Sequence, residues 1–154
     1  MTEPSAADRQ WMERAIELSR RSPPSETAYS VGAVIVGADG QELASGYSRE
    51  HDPKVHAEES ALGKLAAGDP RLPAATIYST LEPCSQRRSR PRSCTELILA
   101  AGIGRVVIAW REPGLFVADC QGCELLTEAG VTVVELPELA GRARAVNAHL
   151  TLGT

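Results

Sequence analysis

Four side chains dominate the chemistry that this sequence can offer: His56, Glu58, Cys84 and Cys94. One imidazole and two thiolates form a common partial donor set for zinc. Three protein donors leave a fourth position for water, which marks a catalytic rather than a structural site. Two thiolates also cancel the charge of a divalent ion, and water on zinc is acidified toward neutral pH, so that hydroxide becomes available as a nucleophile. Glu58 follows His56 by two residues. At the first turn of a helix that spacing can direct both side chains toward one water, and an unliganded carboxylate there can take the water proton and pass it to a leaving nitrogen. The competing reading is a structural zinc, or core cysteines with an unrelated surface histidine. Structural zinc usually takes four protein ligands and no fourth is evident, so the catalytic reading is preferred.

The remaining candidates are weaker. Cys120-Gln121-Gly122-Cys123 has the spacing of a metal half-site or redox pair, but no second pair accompanies it, and two small residues at a helix start explain it as well. Arg87, Arg88, Arg90 and Arg92 lie between the two zinc cysteines. A loop with both ends on the metal must lie near the site, where arginine can clamp a phosphate; a solvated basic loop is the alternative. Trp110 and Tyr29 can stack on a base, though core packing is the preferred role for both. Glu112 can accept from an exocyclic amine or a ribose hydroxyl, or simply cap a surface turn.

Hydrophobic spacing supplies the elements that must position these groups. Helices are expected over 8–21, 55–67, 94–101, 117–129 and 137–150. Strands are expected over 31–36, 42–47, 75–80, 105–110 and 131–135. Strands 1 and 2 flank Ala38-Asp39-Gly40 and read as a hairpin. Strands 3, 4 and 5 are joined through helices and are expected to run parallel. The fold class is therefore α/β, a mixed five-stranded sheet with helices on both faces. Ligands in such sheets gather at the carboxyl ends of the parallel strands, where Glu82-Pro83-Cys84 falls.

The 154 residues, 43% of them hydrophobic, fit one globular domain over 1–154. A net charge of −4 argues against general nucleic-acid binding, which favours a basic surface. No apolar run approaches a membrane span. Met1 to Gln10 has neither the basic start nor the apolar run of a signal peptide. A cytoplasmic, reducing setting follows, in which cysteines read as ligands or catalytic groups.

His56-Ala57-Glu58 followed by Pro83-Cys84 resembles the cytidine-deaminase-like superfamily, whose zinc motif is H-x-E…P-C-x-x-C. Nine residues separate Cys84 from Cys94 here, against two in the common motif. That longer loop, with Thr80-Leu81-Glu82-Pro83-Cys84-Ser85 and Leu97-Ile98-Leu99-Ala100-Ala101-Gly102, is most similar to the deaminase domain of riboflavin-biosynthesis pyrimidine deaminases. The weaker Val31–Val36 and Leu125–Gly130 segments extend the similarity over about residues 8–150. The resemblance implies a three-layer α/β/α deaminase sandwich with one zinc per chain on His56, Cys84 and Cys94. It implies Glu58 as proton carrier, and hydrolysis of an amino-pyrimidine, ribosylated or phosphorylated, with release of ammonia. It also implies self-association, most simply as a homodimer. Three positions depart from that family: its substrate-contacting asparagine falls at about Ala28, its histidine two residues past the first cysteine falls at Gln86, and its Asp-Pro-Asn turn reads Glu112-Pro113-Gly114. The fused reductase domain common in these proteins is not expected within these 154 residues. A cytidine, deoxycytidylate or free-base substrate such as guanine is the alternative within deaminases. A zinc-binding scaffold without activity, or a redox protein using Cys120 and Cys123, is the alternative outside them.

Overall fold

The computed structural model describes residues 4–85, 92–111 and 120–150. Helix α1 (Ala6–Ser19) leads to β1 (Gly32–Val36) and β2 (Glu42–Tyr47), then α2 (Ala57–Gly63), β3 (Thr76–Leu81), α3 (Cys94–Ala101), β4 (Arg105–Trp110), α4 (Gly122–Glu128), β5 (Thr132–Glu135) and α5 (Ala140–Ala145). The five strands form one sheet in the order β2-β1-β3-β4-β5. β1 is antiparallel to β2 and to β3, while β3, β4 and β5 run parallel. This is the mixed sheet expected from the hairpin and the helical connections. Helices α1 and α5 touch each other and the sheet; α2, α3 and α4 touch in succession, and α2 and α4 also meet the sheet. The result is an α/β/α sandwich.

The topology explains why a site forms at one edge. β2, β3, β4 and β5 all point their carboxyl ends the same way, and β1 runs against them. The entry to β1 and the exits of β2, β3 and β4 therefore meet at one end of the sheet. Residues 28–31, 48–56, 82–84 and 110–111 all lie there.

Both faces of β1 are buried along its whole length, because a helix covers each side. Tyr78, opposite Val34, faces α1: its hydroxyl donates to Asp8 Oδ1 at 2.7 Å and its ring lies 6.5 Å from that of Trp11. Arg105 on β4 donates to both Asp8 oxygens at 2.8 and 2.7 Å. Asp8 thus staples α1 to two strands while its carboxylate also accepts the Ser5 N–H at 2.9 Å, closing a capping box with Ser5.

Several helix ends differ from the spacing-based expectation. α1 begins at Ala6 rather than 8 because Ser5 and Asp8 cap it. α2 covers 57–63 rather than 55–67: Val55 is buried and non-helical, and Lys64 and Leu65 bond back three residues instead of four, tightening the end of the helix. The helix expected over 117–129 is described from Gly122 onward. The one expected over 137–150 divides into a 3₁₀ turn at Pro137–Leu139, α5, and three-residue turns through Leu150. The Asn147 N–H bonds back three residues, to Arg144 O. Among the described residues no helix is long and apolar enough to cross a membrane.

Candidate metal and catalytic site

His56, Cys84 and Cys94 converge although they come from three segments. Their donor atoms all lie within 4.8 Å of one another. His56 Nδ1 is 3.6 Å from Cys84 Sγ and 3.4 Å from Cys94 Sγ. Zn–N and Zn–S bonds of about 2.0 and 2.3 Å at tetrahedral angles place nitrogen and sulfur about 3.5 Å apart, so the trio is already spaced for a single zinc. The donor set of one imidazole and two sulfurs suits zinc in kind as well as in spacing.

Helix starts fix the ligands. His56 is the N-cap of α2, in extended conformation, and its backbone N–H donates to the Glu59 carboxylate at 3.2 Å. Cys94 is the first residue of α3, capped by Ser93. The first three N–H groups of α3, orphaned in an isolated helix, all find partners. Cys94 N–H donates to Cys84 Sγ at 3.2 Å, Thr95 N–H to Cys84 O at 3.1 Å and Glu96 N–H to Ser93 Oγ at 3.2 Å. The first backbone donor of α3 is thus aimed at the Cys84 sulfur. The neighbouring Cys94 thiol above all, then His56 and that backbone donor, hold the Cys84 thiol well below its usual range against the opposing effect of burial.

Two close backbone approaches set these helices in place. At Gly46, on β2, a Cβ would come within 2.8 Å of Ala57 O and Ala61 N, both on α2. At Gly122, the start of α4, it would come within 2.1 Å of Pro83 O. Glycine lets α2 lie against the sheet and lets α4 abut the segment that carries Cys84. The Glu82 carboxylate, buried beside it, accepts the Cys123 N–H at 3.0 Å and so caps α4. No spacing rule marked Glu82 for this, because its partner lies 41 residues away.

Glu58 is 4% exposed and its Oε2 lies 3.2 Å from Ser79 Oγ. Burial pushes its carboxyl up from the ordinary range, with the Cys84 sulfur adding to the rise and His56 and Ser79 opposing it. A carboxyl that is hard to ionise and sits two residues past the donor imidazole is suited to carrying a proton.

His56, Glu58 and Cys84 line a cavity of about 280 Å³, together with Thr27, Ala28 and Tyr29 of the 20–31 loop. Arg49 fastens that loop. Its guanidinium donates to Pro23 O at 3.0 and 2.7 Å, Tyr29 O at 3.2 Å, Ser22 Oγ at 3.0 Å and Ser30 Oγ at 3.0 Å. The Arg49 backbone is left-handed, φ 58°, which costs a non-glycine residue about 1–3 kcal/mol. Asn147 completes the fastening: its side chain accepts Ser30 N–H at 2.6 Å and donates to Ser30 O at 3.1 Å. Neither residue carried a sequence signal.

The chain matches the cytidine and deoxycytidylate deaminase zinc-binding region over residues 5–110. It belongs to that family. Among curated relatives it is 41% identical over 128 residues to a diaminohydroxyphosphoribosylamino-pyrimidine deaminase of Schizosaccharomyces pombe, covering 82% of this chain and 31% of that protein. Its fold matches Acinetobacter baumannii RibD with a TM-score of 0.78 and 33% identity, over 92% of this chain and 38% of that one. It also matches an Aspergillus oryzae Rib2 deaminase, a C-terminal deletion mutant in complex with DARIPP, with a TM-score of 0.73 and 25% identity, over 93% and 97% of the two chains. The chain spans about a third of the length of the curated relatives it matches. Membership of this zinc-binding family and the three-donor geometry agree on one zinc per chain.

The other expected contacts separate. Ala28 and Tyr29 line the cavity. Trp110 does not line it among the described residues: it is buried with its ring 5.6 Å from that of Tyr29, edge-on, and the Arg144 guanidinium lies 5.6 Å over it. Gln86, Arg87, Arg88, Arg90 and Glu112 lie outside the described residues, and Arg92 is exposed. Cys120 and Cys123 are not in a disulfide and are not part of the donor trio. Burial, with the Glu82 carboxylate adding to it, raises the Cys123 thiol well above its usual range, which opposes a redox role, since the thiolate is the reactive form.

Proposed function

We propose that this protein hydrolyses the amino group of an aminopyrimidine to a carbonyl, with His56, Cys84 and Cys94 holding zinc and Glu58 carrying the proton. The observation that carries this reading is the meeting of three zinc donors, two of which, His56 and Cys84, line the same cavity as the buried, unliganded Glu58 carboxyl. When bound, zinc supplies a nucleophile near neutral pH by acidifying water. The chain's residues do the rest. Glu58 accepts a proton from the attacking water and delivers it to the amino nitrogen, so that water is consumed and ammonia leaves. Tyr29 and Ala28 bound the ring from the loop that Arg49 and Asn147 fasten. Burial of Glu58 keeps bulk water from competing for its proton.

The substrate reading is a ribosylated, phosphorylated aminopyrimidine. It rests on the printed activity of the S. pombe relative, on the ligand named for the A. oryzae structure and on the cations Arg49 and Lys54 among the cavity-lining residues. A cytoplasmic location and a homodimer are proposed with it from the family resemblance; sedimentation measures the second.

Ammonia release from DARIPP, cytidine, dCMP and guanine, with and without a zinc chelator, tests the activity. Release from DARIPP alone, abolished by the chelator and restored by zinc, is the expected result. Glu58→Gln should retain stoichiometric zinc while turnover falls about 10²–10⁴-fold, the usual contribution of a positioned acid–base group. Near-normal turnover in that variant refutes the proton-carrier role.

A further inference from the structure

Ser79 sits in the middle of β3, fully buried, in register with Ala33 on one side and Ile108 on the other. A hydroxyl at such a position needs a partner, and this one has two. Its Oγ lies 2.8 Å from Leu81 O and 3.2 Å from Glu58 Oε2. One hydroxyl has a single proton and two lone pairs. A serine tied only to its own strand would need no carboxyl beside it; here β3 reaches out of the sheet to the side chain proposed to move protons.

We infer that Ser79 is a positioning residue that orients the Glu58 carboxyl through Oε2. The 2.8 Å contact with Leu81 O fixes where Oγ stands, and the 3.2 Å contact with Oε2 fixes the carboxyl against it. The single hydroxyl proton faces both oxygens. The bond fixes rotation of the carboxyl group, and therefore the direction its oxygens face. A buried alanine would offer neither donor nor acceptor, and solvent does not reach the position to replace them.

The inference rests on the proposed role of Glu58, so its test has one arm that depends on activity and one that does not. In zinc-loaded protein, Ser79→Ala should lower kcat by about 5- to 50-fold through misalignment of the carboxyl. KM should stay within about twofold and zinc content should not change. Ser79→Thr, which keeps the hydroxyl, should recover at least half of the lost kcat. Crystal structures of the wild type and of Ser79→Ala, each zinc-loaded, should show Glu58 in one rotamer in the first and in a turned or split position in the second. If Ser79→Ala leaves kcat within twofold of wild type, or leaves Glu58 in the wild-type rotamer, the positioning role is overturned. If the wild type releases no ammonia from any substrate, the proposed activity fails by itself, and the Glu58 rotamer still decides whether Ser79 positions it.

Discussion

Replacing Asp8 by alanine should destabilise the protein without touching its chemistry. The Asp8 side chain is 3% exposed and pairs with Arg105, whose side chain is 31% exposed. Four donors converge on the carboxylate: two from Arg105, the Tyr78 hydroxyl and the Ser5 N–H. Removing one member of a buried pair costs about 3–5 kcal/mol. Because Arg105 keeps partial access to water, the lower part of that range applies, about 3–4 kcal/mol including the lost cap. For a chain of this size that corresponds to a fall in Tm of about 10 °C. The effect also has a pH signature. The Arg105 guanidinium, helped by the Ser5 and Tyr78 bonds, holds the Asp8 carboxyl well below its usual range. The unfolded carboxyl titrates near 3.9, so the folded state binds fewer protons below that pH. The stabilisation is therefore complete above about pH 5 and drains away as pH falls through 4 toward the folded value. Urea titrations of wild type and Asp8→Ala between pH 3 and 8 should show a constant gap at the upper end that narrows at the lower. Turnover at 25 °C should be unchanged, since α1 lies on the opposite face of the sheet from α2 and α3. A gap below about 1 kcal/mol, or one that widens on acidification, refutes the reasoning.

Gly46→Ala should push α2 from the sheet, because its new Cβ would meet Ala57 O and Ala61 N at 2.8 Å. A loss of about 1–3 kcal/mol and weaker zinc retention in competition with a chelator are expected, and unchanged zinc affinity would count against the coupling of α2 packing to the metal. Arg49→Ala should loosen the 20–31 loop by removing its bonds to Ser22, Pro23, Tyr29 and Ser30. KM should rise about tenfold or more, one charged hydrogen bond alone being equivalent to about 1.5–3 kcal/mol, with zinc content intact; limited proteolysis should cut first near Pro23-Pro24.

How much of this was legible beforehand depended on whether the signal was local. The zinc donors were readable because a histidine, an acid two residues on, and a Pro-Cys after a strand are short-range patterns with a chemical reason behind each residue. The strand set and the parallel run of β3, β4 and β5 were readable from β-branched clusters separated by helical spacing. Helix ends were less so: Ser5 and Asp8 form a capping box whose acid is an aspartate rather than the usual glutamate. The Lys64 and Leu65 turn is decided by i−3 bonds that spacing does not report. Trp110 packs as expected of a strand-end aromatic: it is buried, edge-on to Tyr29 and under the Arg144 guanidinium.

The sequence by itself determined the reagents: one imidazole, two sulfurs and a carboxyl, each at the start of a helix or the end of a strand, with enough β-branched and apolar periodicity to build an α/β sheet. Only the tertiary structure decided their partners. Cys84 receives its backbone donor from α3, Glu82 caps a helix 41 residues distant, Ser79 answers Glu58 across 21 residues, and Asn147 pins a loop 117 residues earlier in the chain. The physical reason is that periodicity encodes which face of an element is buried, whereas a hydrogen bond between distant segments depends on strand register and helix placement within fractions of an ångström, and no local pattern carries that information.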